Sequence, residues 1–164
     1  MAIIILGVPG TGKTTISKKI ISEFPNLKYL NITQFVISNK LYFGYDKERK
    51  SYLIDVNKTR DFLFRKYASE HSKLLIDTHV IEPVPNQFRE LCIVLHAPLS
   101  VIRKRLFSRG WHSQKVDENI MAELMYRVLD FNCKCIIHIW NNEPIEKMAK
   151  KLLHLIRIKY FTFD

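Results

Sequence analysis

Short apolar runs alternate along this chain with longer stretches in which apolar residues recur at helical spacing. The apolar runs predict five strands, at residues 3–6, 27–32, 73–77, 91–96 and 135–140. The periodic stretches predict helices at 14–24, 99–108, 117–132 and 144–159. Because strands that alternate with helices form right-handed βαβ units, the pattern predicts an α/β fold in which helices cover both faces of a five-stranded parallel sheet.

The segment from residue 33 to residue 70 departs from this pattern. Gly44, Tyr45 and Asp46, followed by the charged residues 47–50, mark a loop between helical stretches. We interpret the whole segment as an insertion into the α/β framework. A second break, at residues 109–111, separates two of the predicted helices.

The composition of the 164 residues, 47% apolar and 26% charged, is that of one globular domain spanning residues 1–164. No apolar run approaches the ~18 residues that cross a bilayer, so we expect no membrane association. The three cysteines are an odd number, and only Cys133 and Cys135 are close in sequence. They therefore support neither a disulfide framework nor a four-ligand metal site, which fits a reducing cytoplasm or nucleus.

The balance of charge favours anionic ligands. Lys and Arg number 26 against 16 Asp and Glu, which gives a formal net charge of +10. Such a chain attracts nucleotides, RNA or anionic membrane. In many small basic proteins, however, the excess of positive charge serves only solubility. The charge by itself does not choose among these roles.

A phosphate-binding loop follows the first predicted strand. Gly7, Gly12, Lys13 and Thr14 meet the pattern G-x-x-x-x-G-K-[ST]. The glycines let backbone N–H groups turn towards phosphate oxygens, while Lys13 reaches the β- and γ-phosphates and the Thr14 hydroxyl ligates Mg²⁺. We therefore predict a site for ATP and Mg²⁺, with these residues contacting the nucleotide: Gly7, Pro9, Gly10, Thr11, Gly12, Lys13, Thr14 and Thr15.

Two polar residues follow the third predicted strand. Asp77 ends the apolar run and is predicted to hold Mg²⁺ beside Thr14, in the manner of a Walker-B aspartate, although a helix cap or turn would use the same residue. His79 is a candidate to orient water or relay a proton. A structural histidine that forms hydrogen bonds is an equal alternative at that position.

The break at residues 109–111 is flanked by basic residues. A helix places Arg105 and Arg109 four residues apart on one face, and Gly110 permits a hinge. On a closing segment the two arginines would neutralise charge on the transferred phosphoryl group, and Arg109 would also contact the nucleotide. The alternative is a solvated basic face or an RNA-binding patch.

Several segments together resemble one family, the small adenylate kinase–like NTPases that include adenylate kinase isoenzyme six, also known as the coilin-interacting nuclear ATPase. The matching segments are 7–15, 27–31, L-Y-F-G-Y-D at 41–46, D-T-H at 77–79, R-L-F-S-R-G-W at 105–111 and D-E-N-I at 117–120. The resemblance implies an adenylate kinase fold, with an insertion near residues 33–70 that binds the nucleoside monophosphate and a short lid near residues 108–116. It also implies phosphoryl transfer from ATP to AMP and slow ATP hydrolysis.

The same resemblance implies a cellular setting. Family members assist late maturation of the small ribosomal subunit by binding a platform ribosomal protein of the eleventh universal family, with pre-ribosomal RNA as a further candidate partner. An archaeal member would be cytoplasmic and a eukaryotic one nuclear, and the short Lys- and Ile-rich chain favours the archaeal case. Kinase activity is then either the main function or incidental to nucleotide-gated assembly, whereas a pure RNA-binding module lacks a recognisable motif.

One position departs from the family. Where an arginine four residues before the L-Y-x-G-Y-D motif is expected to contact the AMP phosphate, this chain has Ile37. Lys40 is one candidate replacement, because it lies one helical turn further on. Arg60 and Arg65 are two others, and the sequence does not rank the three.

Overall fold

A computed structural model describes residues 2–69 and 73–160. The first half of the chain forms β1 (Ala2–Leu6), α1 (Lys13–Glu23), β2 (Lys28–Asn31), α2 (Ile32–Ser38), β3 (Tyr42–Asp46), β4 (Ser51–Ile54) and α3 (Val56–Tyr67). The second half forms β5 (Leu74–Thr78), a 3₁₀ turn (Asn86–Phe88), β6 (Arg89–His96), α4 (Leu99–Ser108), α5 (Ser113–Tyr126), β7 (Cys135–Trp140) and α6 (Ile145–Tyr160).

Five strands form one sheet in the order β2-β5-β1-β6-β7, and every neighbouring pair is parallel. The central strand β1 places Ile4 between Ile76 of β5 and Cys92 of β6. Parallel strands end at the same edge, so the loops after β1, β5 and β6 lie together. The predicted five-stranded parallel sheet is confirmed.

The two faces of the sheet carry separate parts of the core. Side chains of a strand point alternately to opposite faces of the sheet. In β1, Ile3 and Ile5 belong to the part of the core that includes α1 and α6, while Ile4 and Leu6 belong to the part that includes α2 and α3. All of β1 is buried. Helices therefore cover both faces, as predicted.

The prediction of a loop at Gly44, Tyr45 and Asp46 is wrong, because these residues lie in β3. β3 and β4 form an antiparallel hairpin, in which Tyr45 lies opposite Tyr52. Exposure alternates along β3 with the period of two that is typical of a strand. The charged residues 47–50 form the turn, where Lys50 has a φ of 48°. Residues 33–69 thus contain most of α2, this hairpin and α3.

Two further predictions are wrong, namely that the cysteines form no disulfide and that one helix spans residues 117–132. Cys92 in β6 and Cys133, just before the neighbouring strand β7, form a disulfide with Cα atoms 6.2 Å apart, although 41 positions separate them in sequence. The helix predicted at 117–132 instead spans Ser113–Tyr126, with the His112 side chain accepting a hydrogen bond from the Lys115 N–H at its start. Among the described residues no helix is both long and apolar enough to cross a membrane.

Candidate active site

The phosphate loop joins β1 to α1 in a conformation that needs glycine. Gly10 and Gly12 have φ values of 93° and 101°, in the left-handed region that side chains disfavour. A Cβ atom on Gly7 would lie 2.4 Å from the carbonyl oxygen of Leu95, so β6 approaches the loop too closely for any other residue. The fold therefore brings the glycine-rich loop to the carboxyl edge of the sheet and ends it at the first residue of α1.

Lys13 begins α1 and points back over the loop. Its Nζ donates a hydrogen bond to the carbonyl oxygen of Val8, 3.1 Å away. Burial of the ammonium lowers the pKa of Lys13 to about 8, although the nearby Asp77 carboxylate opposes the shift. A desolvated cation at this position gains from an anionic ligand, which is the role predicted for it with the β- and γ-phosphates.

Thr14 and Asp77 meet, as the predicted metal site requires. The Thr14 hydroxyl donates to Asp77 Oδ2 at 2.9 Å, and the Tyr29 hydroxyl donates to the same oxygen at 3.0 Å. Asp77 is buried at the end of β5. Burial and the Asp77 carboxylate raise the pKa of Tyr29 to about 12, so its hydroxyl stays protonated. A hydroxyl oxygen beside a carboxylate is a donor set that fits Mg²⁺.

His79 lies beside this pair. Burial, followed by the charge of Lys13, lowers the pKa of His79 to about 4, so its ring is neutral near pH 7. The Tyr126 hydroxyl donates to the His79 backbone carbonyl and holds this turn against α5. A neutral imidazole can accept a proton from a water molecule or orient that molecule, as the hypothesis of a catalytic His79 requires.

The two arginines of the predicted lid have different surroundings. Arg105 donates from Nη1 to the carbonyl oxygen of Gly10 at 2.7 Å, so it braces the phosphate loop from α4. Arg109 follows the last residue of α4 and borders the cavity above the loop. Gly110 has a φ of 74°, which suits the predicted break in the chain. Of the two arginines, Arg109 is the one whose position suits contact with a phosphoryl group.

One residue of the site was missed by sequence reasoning. Asn141 follows β7, donates from its side-chain amide to the Thr11 carbonyl at 2.7 Å, and donates its backbone N–H to the His96 carbonyl at 2.7 Å. It therefore holds the phosphate loop against the carboxyl edge of the sheet. The only available signal was its position at the end of a predicted strand, at the edge where a parallel sheet binds its ligands.

Two cavities meet over this edge. A smaller one of about 180 Å³ lies on the phosphate loop, and a larger one of about 430 Å³ lies between α2, the hairpin and the start of α5. Pro9, Thr33 and His79 line both. The larger cavity is lined by Pro9, Thr33, Val36, Ile37, Arg49, Lys50, Ser51, Tyr52, Ile54, His79, Trp111, Lys115, Glu118 and Asn119.

None of the three residues proposed to replace the missing arginine lines this larger cavity. Lys40 is exposed beyond the end of α2, and Arg65 donates to the Asp61 carbonyl within α3. Arg60 donates through Nε and Nη2 to the Glu82 carbonyl at 3.0 and 2.6 Å. Ile37 itself does line the cavity, and it is 38% exposed.

Comparison with known proteins agrees with this architecture. A family model described as "AAA domain" matches residues 3–126. A protein of Saccharolobus solfataricus named "Putative adenylate kinase" is 43% identical over 125 residues, which are 76% of this chain and 64% of that protein. The chain thus matches somewhat less than two thirds of the length of that relative.

A second relative is matched over more of its length. The "Adenylate kinase isoenzyme 6 homolog" of Schizosaccharomyces pombe is 34% identical over 155 residues, which are 92% of this chain and 86% of that protein. Among solved structures, shikimate kinase from Acinetobacter baumannii has a TM-score of 0.65 at 15% identity, covering 98% of this chain and 94% of that one, and so shares the fold. Since the phosphate loop, the sheet and these relatives agree, the chain belongs to the adenylate kinase isoenzyme 6 family of P-loop proteins.

Proposed function

We propose that this protein is a Mg²⁺-dependent adenylate kinase that transfers a phosphoryl group from ATP to AMP and also hydrolyses ATP slowly. The observation that carries the proposal is the pair of adjoining cavities. One lies on the phosphate loop, and the other has apolar walls and basic side chains, as a nucleoside monophosphate needs. Because Pro9, Thr33 and His79 line both, two phosphates can approach each other there.

In the smaller cavity, which would hold ATP as the phosphoryl donor, different residues have different roles in binding the triphosphate. The loop N–H groups and Lys13 hold the phosphates, while Arg105 and Asn141 fix the loop by its Gly10 and Thr11 carbonyls. Thr14 and Asp77 would hold Mg²⁺, which neutralises phosphate charge when bound.

His79 and Arg109 would act at the boundary between the cavities. The neutral His79 ring can orient a water molecule when the larger cavity holds no AMP, which would account for ATP hydrolysis. Arg109 supplies positive charge next to the position of the transferred group. Transfer and hydrolysis then share one donor site and differ in the acceptor that reaches it.

The family resemblance supports a second role, in maturation of the small ribosomal subunit through the platform ribosomal protein. The observation that favours a protein partner is the exposed apolar surface of the hairpin, where Phe43 is 77% and Leu53 52% exposed. Exposed apolar groups that lie close together are typical of a protein contact. Co-purification of the parent with that ribosomal protein, and its loss in Phe43→Ser, is the test, and retention in Phe43→Ser would exclude this face.

The kinase proposal is tested with Mg²⁺ and ADP as the only nucleotide. A kinase converts two ADP to ATP and AMP, whereas a simple ATPase forms neither. Lys13→Ala should abolish the conversion, with a loss on the order of several kcal/mol of transition-state stabilisation. Lys18→Ala, on the exposed side of α1, is the matched control. Near-normal turnover by Lys13→Ala would contradict the assignment of the phosphate loop.

A further inference from the structure

The larger cavity has a cluster of cations that the sequence did not indicate. Arg49 and Lys50 come from the hairpin turn, and Lys115 comes from the first turn of α5. We propose that these three side chains hold the phosphate of the acceptor nucleotide, a role that the family resemblance predicts for an arginine at the position of Ile37. This inference rests on the proposed kinase function and assigns the residues that bind the phosphate of its acceptor.

The hairpin turn and α5 are already in contact above the cavity. Arg49 Nη2 lies 3.3 Å from Glu118 Oε1, and the Lys115 ammonium donates to the Arg49 carbonyl. The ring Nε2 of His112 lies 3.4 Å from the Glu48 carbonyl oxygen. The three cations therefore lie along the line where the insertion meets the segment after α4.

The partners of Arg49 are weak enough for a phosphate to replace them. Its contacts are to Glu118 and, at 3.7 Å, to Asp46 Oδ2, and its own side chain is 59% exposed. Exposed ion pairs contribute little, whereas a guanidinium binds a phosphate through charge-assisted hydrogen bonds that can be bidentate. Arg49 can thus exchange Glu118 for an acceptor phosphate without leaving a buried charge unpaired.

Lys115 is suited to the same ligand for another reason. Its Nζ lies 4.1 Å from the centroid of the Trp111 ring, and partial burial lowers its pKa from the usual lysine value. An ammonium that has lost part of its hydration gains when an anion enters its surroundings. Lys50, also on the lining, adds a third positive charge, and the carboxylates close to the cluster are those of Glu118 and Asp46.

The rest of the cavity fits the remainder of a nucleotide. Val36, Ile37 and Ile54 form an apolar wall, and the aromatic side chains of Tyr52 and Trp111 also line the cavity. Ile37 therefore contributes apolar contact where the family resemblance predicts an arginine. Because the cations come from two segments, a bound phosphate would also tie the hairpin to α5.

The experiment compares AMP with adenosine, since the two differ only in the phosphate. We expect Arg49→Gln, Lys50→Gln and Lys115→Gln each to raise the Kd for AMP about tenfold or more, and to leave the Kd for adenosine and the KM for ATP near those of the parent. Lys47→Gln, in the same turn but outside the cavity lining, and Lys40→Gln should bind AMP as the parent does. Equal losses of AMP and adenosine affinity would indicate a merely structural role and would overturn the proposal.

Glu118→Gln separates phosphate binding from a contact that only holds the hairpin to α5. If Arg49 binds phosphate, removing its carboxylate partner leaves AMP affinity unchanged or raises it. If Arg49 acts only through Glu118, then Glu118→Gln weakens AMP binding as much as Arg49→Gln does, which overturns the proposal.

Failure of this inference is distinct from failure of the proposed function. A parent protein that neither binds AMP nor forms ATP and AMP from ADP contradicts both. A parent that does both, together with three Gln variants that match its AMP affinity, overturns the phosphate site alone and leaves the kinase assignment standing.

Discussion

The side-chain amide of Asn141 donates to the backbone carbonyl of Thr11 at 2.7 Å and thereby joins the phosphate loop to the end of β7. Both residues are buried. A Cβ atom on Gly12 would lie 2.7 Å from Asn141 Nδ2, so loop and asparagine are fitted closely. The shape of the phosphate loop is thus held from the sheet as well as by its glycines.

Asn141→Ala should therefore weaken both the fold and nucleotide binding. The Thr11 carbonyl would lose its partner, at a cost of about 1–2 kcal/mol in the free energy of unfolding. A less ordered loop should also raise the Kd for ATP, by about tenfold or less. Urea unfolding and ATP titration measure the two effects. Asn142→Ala, at an exposed position, is the control, and equal behaviour of the two variants would exclude this role for Asn141.

Thr14 and Tyr29 both donate to Asp77 Oδ2, so variants of Asp77 and Tyr29 should lower turnover to different degrees. Asp77→Asn keeps the shape but removes the charge that would hold Mg²⁺ with Thr14, so turnover should fall on the order of a hundredfold while ATP binding, held by the loop amides, falls less. Tyr29→Phe removes only one donor to that oxygen and should cost about tenfold at most. Turnover measured against Mg²⁺ concentration checks both. A larger effect of Tyr29→Phe than of Asp77→Asn would contradict the metal site.

His79 is tested by the ratio of two activities. If its neutral ring orients water, His79→Ala should lower ATP hydrolysis more than transfer to AMP, because AMP brings its own nucleophile. Both rates are measured in one preparation under the same Mg²⁺. An equal fall in the two rates would identify His79 as a structural residue instead.

Sequence periodicity was sufficient for the sheet but not for the insertion. Residues 3–6 are a continuous apolar run, as buried parallel strands usually are, and Cys135–Trp140 is apolar apart from His138. The hairpin was missed because its strands are short and half exposed, and Gly44 and the adjoining charges are typical of a loop as well.

Contacts distant in sequence account for the remaining differences. The phosphate loop, Asp77 and His79 were predicted because a local motif and the ends of parallel strands place them. The contacts of Arg105 with Gly10 and of Arg49 with Glu118 join residues 95 and 69 positions apart. No local pattern encodes such pairs, since they depend on how separate elements pack.

A group of ionisable side chains at the ends of β6 and β7 has no assigned catalytic role. His96 Nδ1 lies 2.9 Å from Glu123 Oε1, and His96 Nε2 lies 2.8 Å from Nδ1 of His138. His96 and Glu123 are buried. Arg127 Nε lies 4.0 Å from the same Glu123 oxygen, and its guanidinium packs on the ring of Trp140. His138 is the exposed end of this chain of contacts.

His138 should make the stability of the protein depend on pH. Partial desolvation of the ring, and then the neighbouring His96, lower the pKa of His138 below its usual value of about 6.5. A histidine whose folded-state pKa is depressed contributes stability that is fully present above about pH 6.5 and is lost as the pH falls through the folded-state pKa. The free energy of unfolding, measured in urea between about pH 8 and about pH 5, should therefore decline with acid in the parent and decline less in His138→Gln. His154→Gln, on an exposed position of α6, should keep the decline of the parent. If His138→Gln and the parent show the same dependence on pH, then other groups are responsible for the loss of stability in acid.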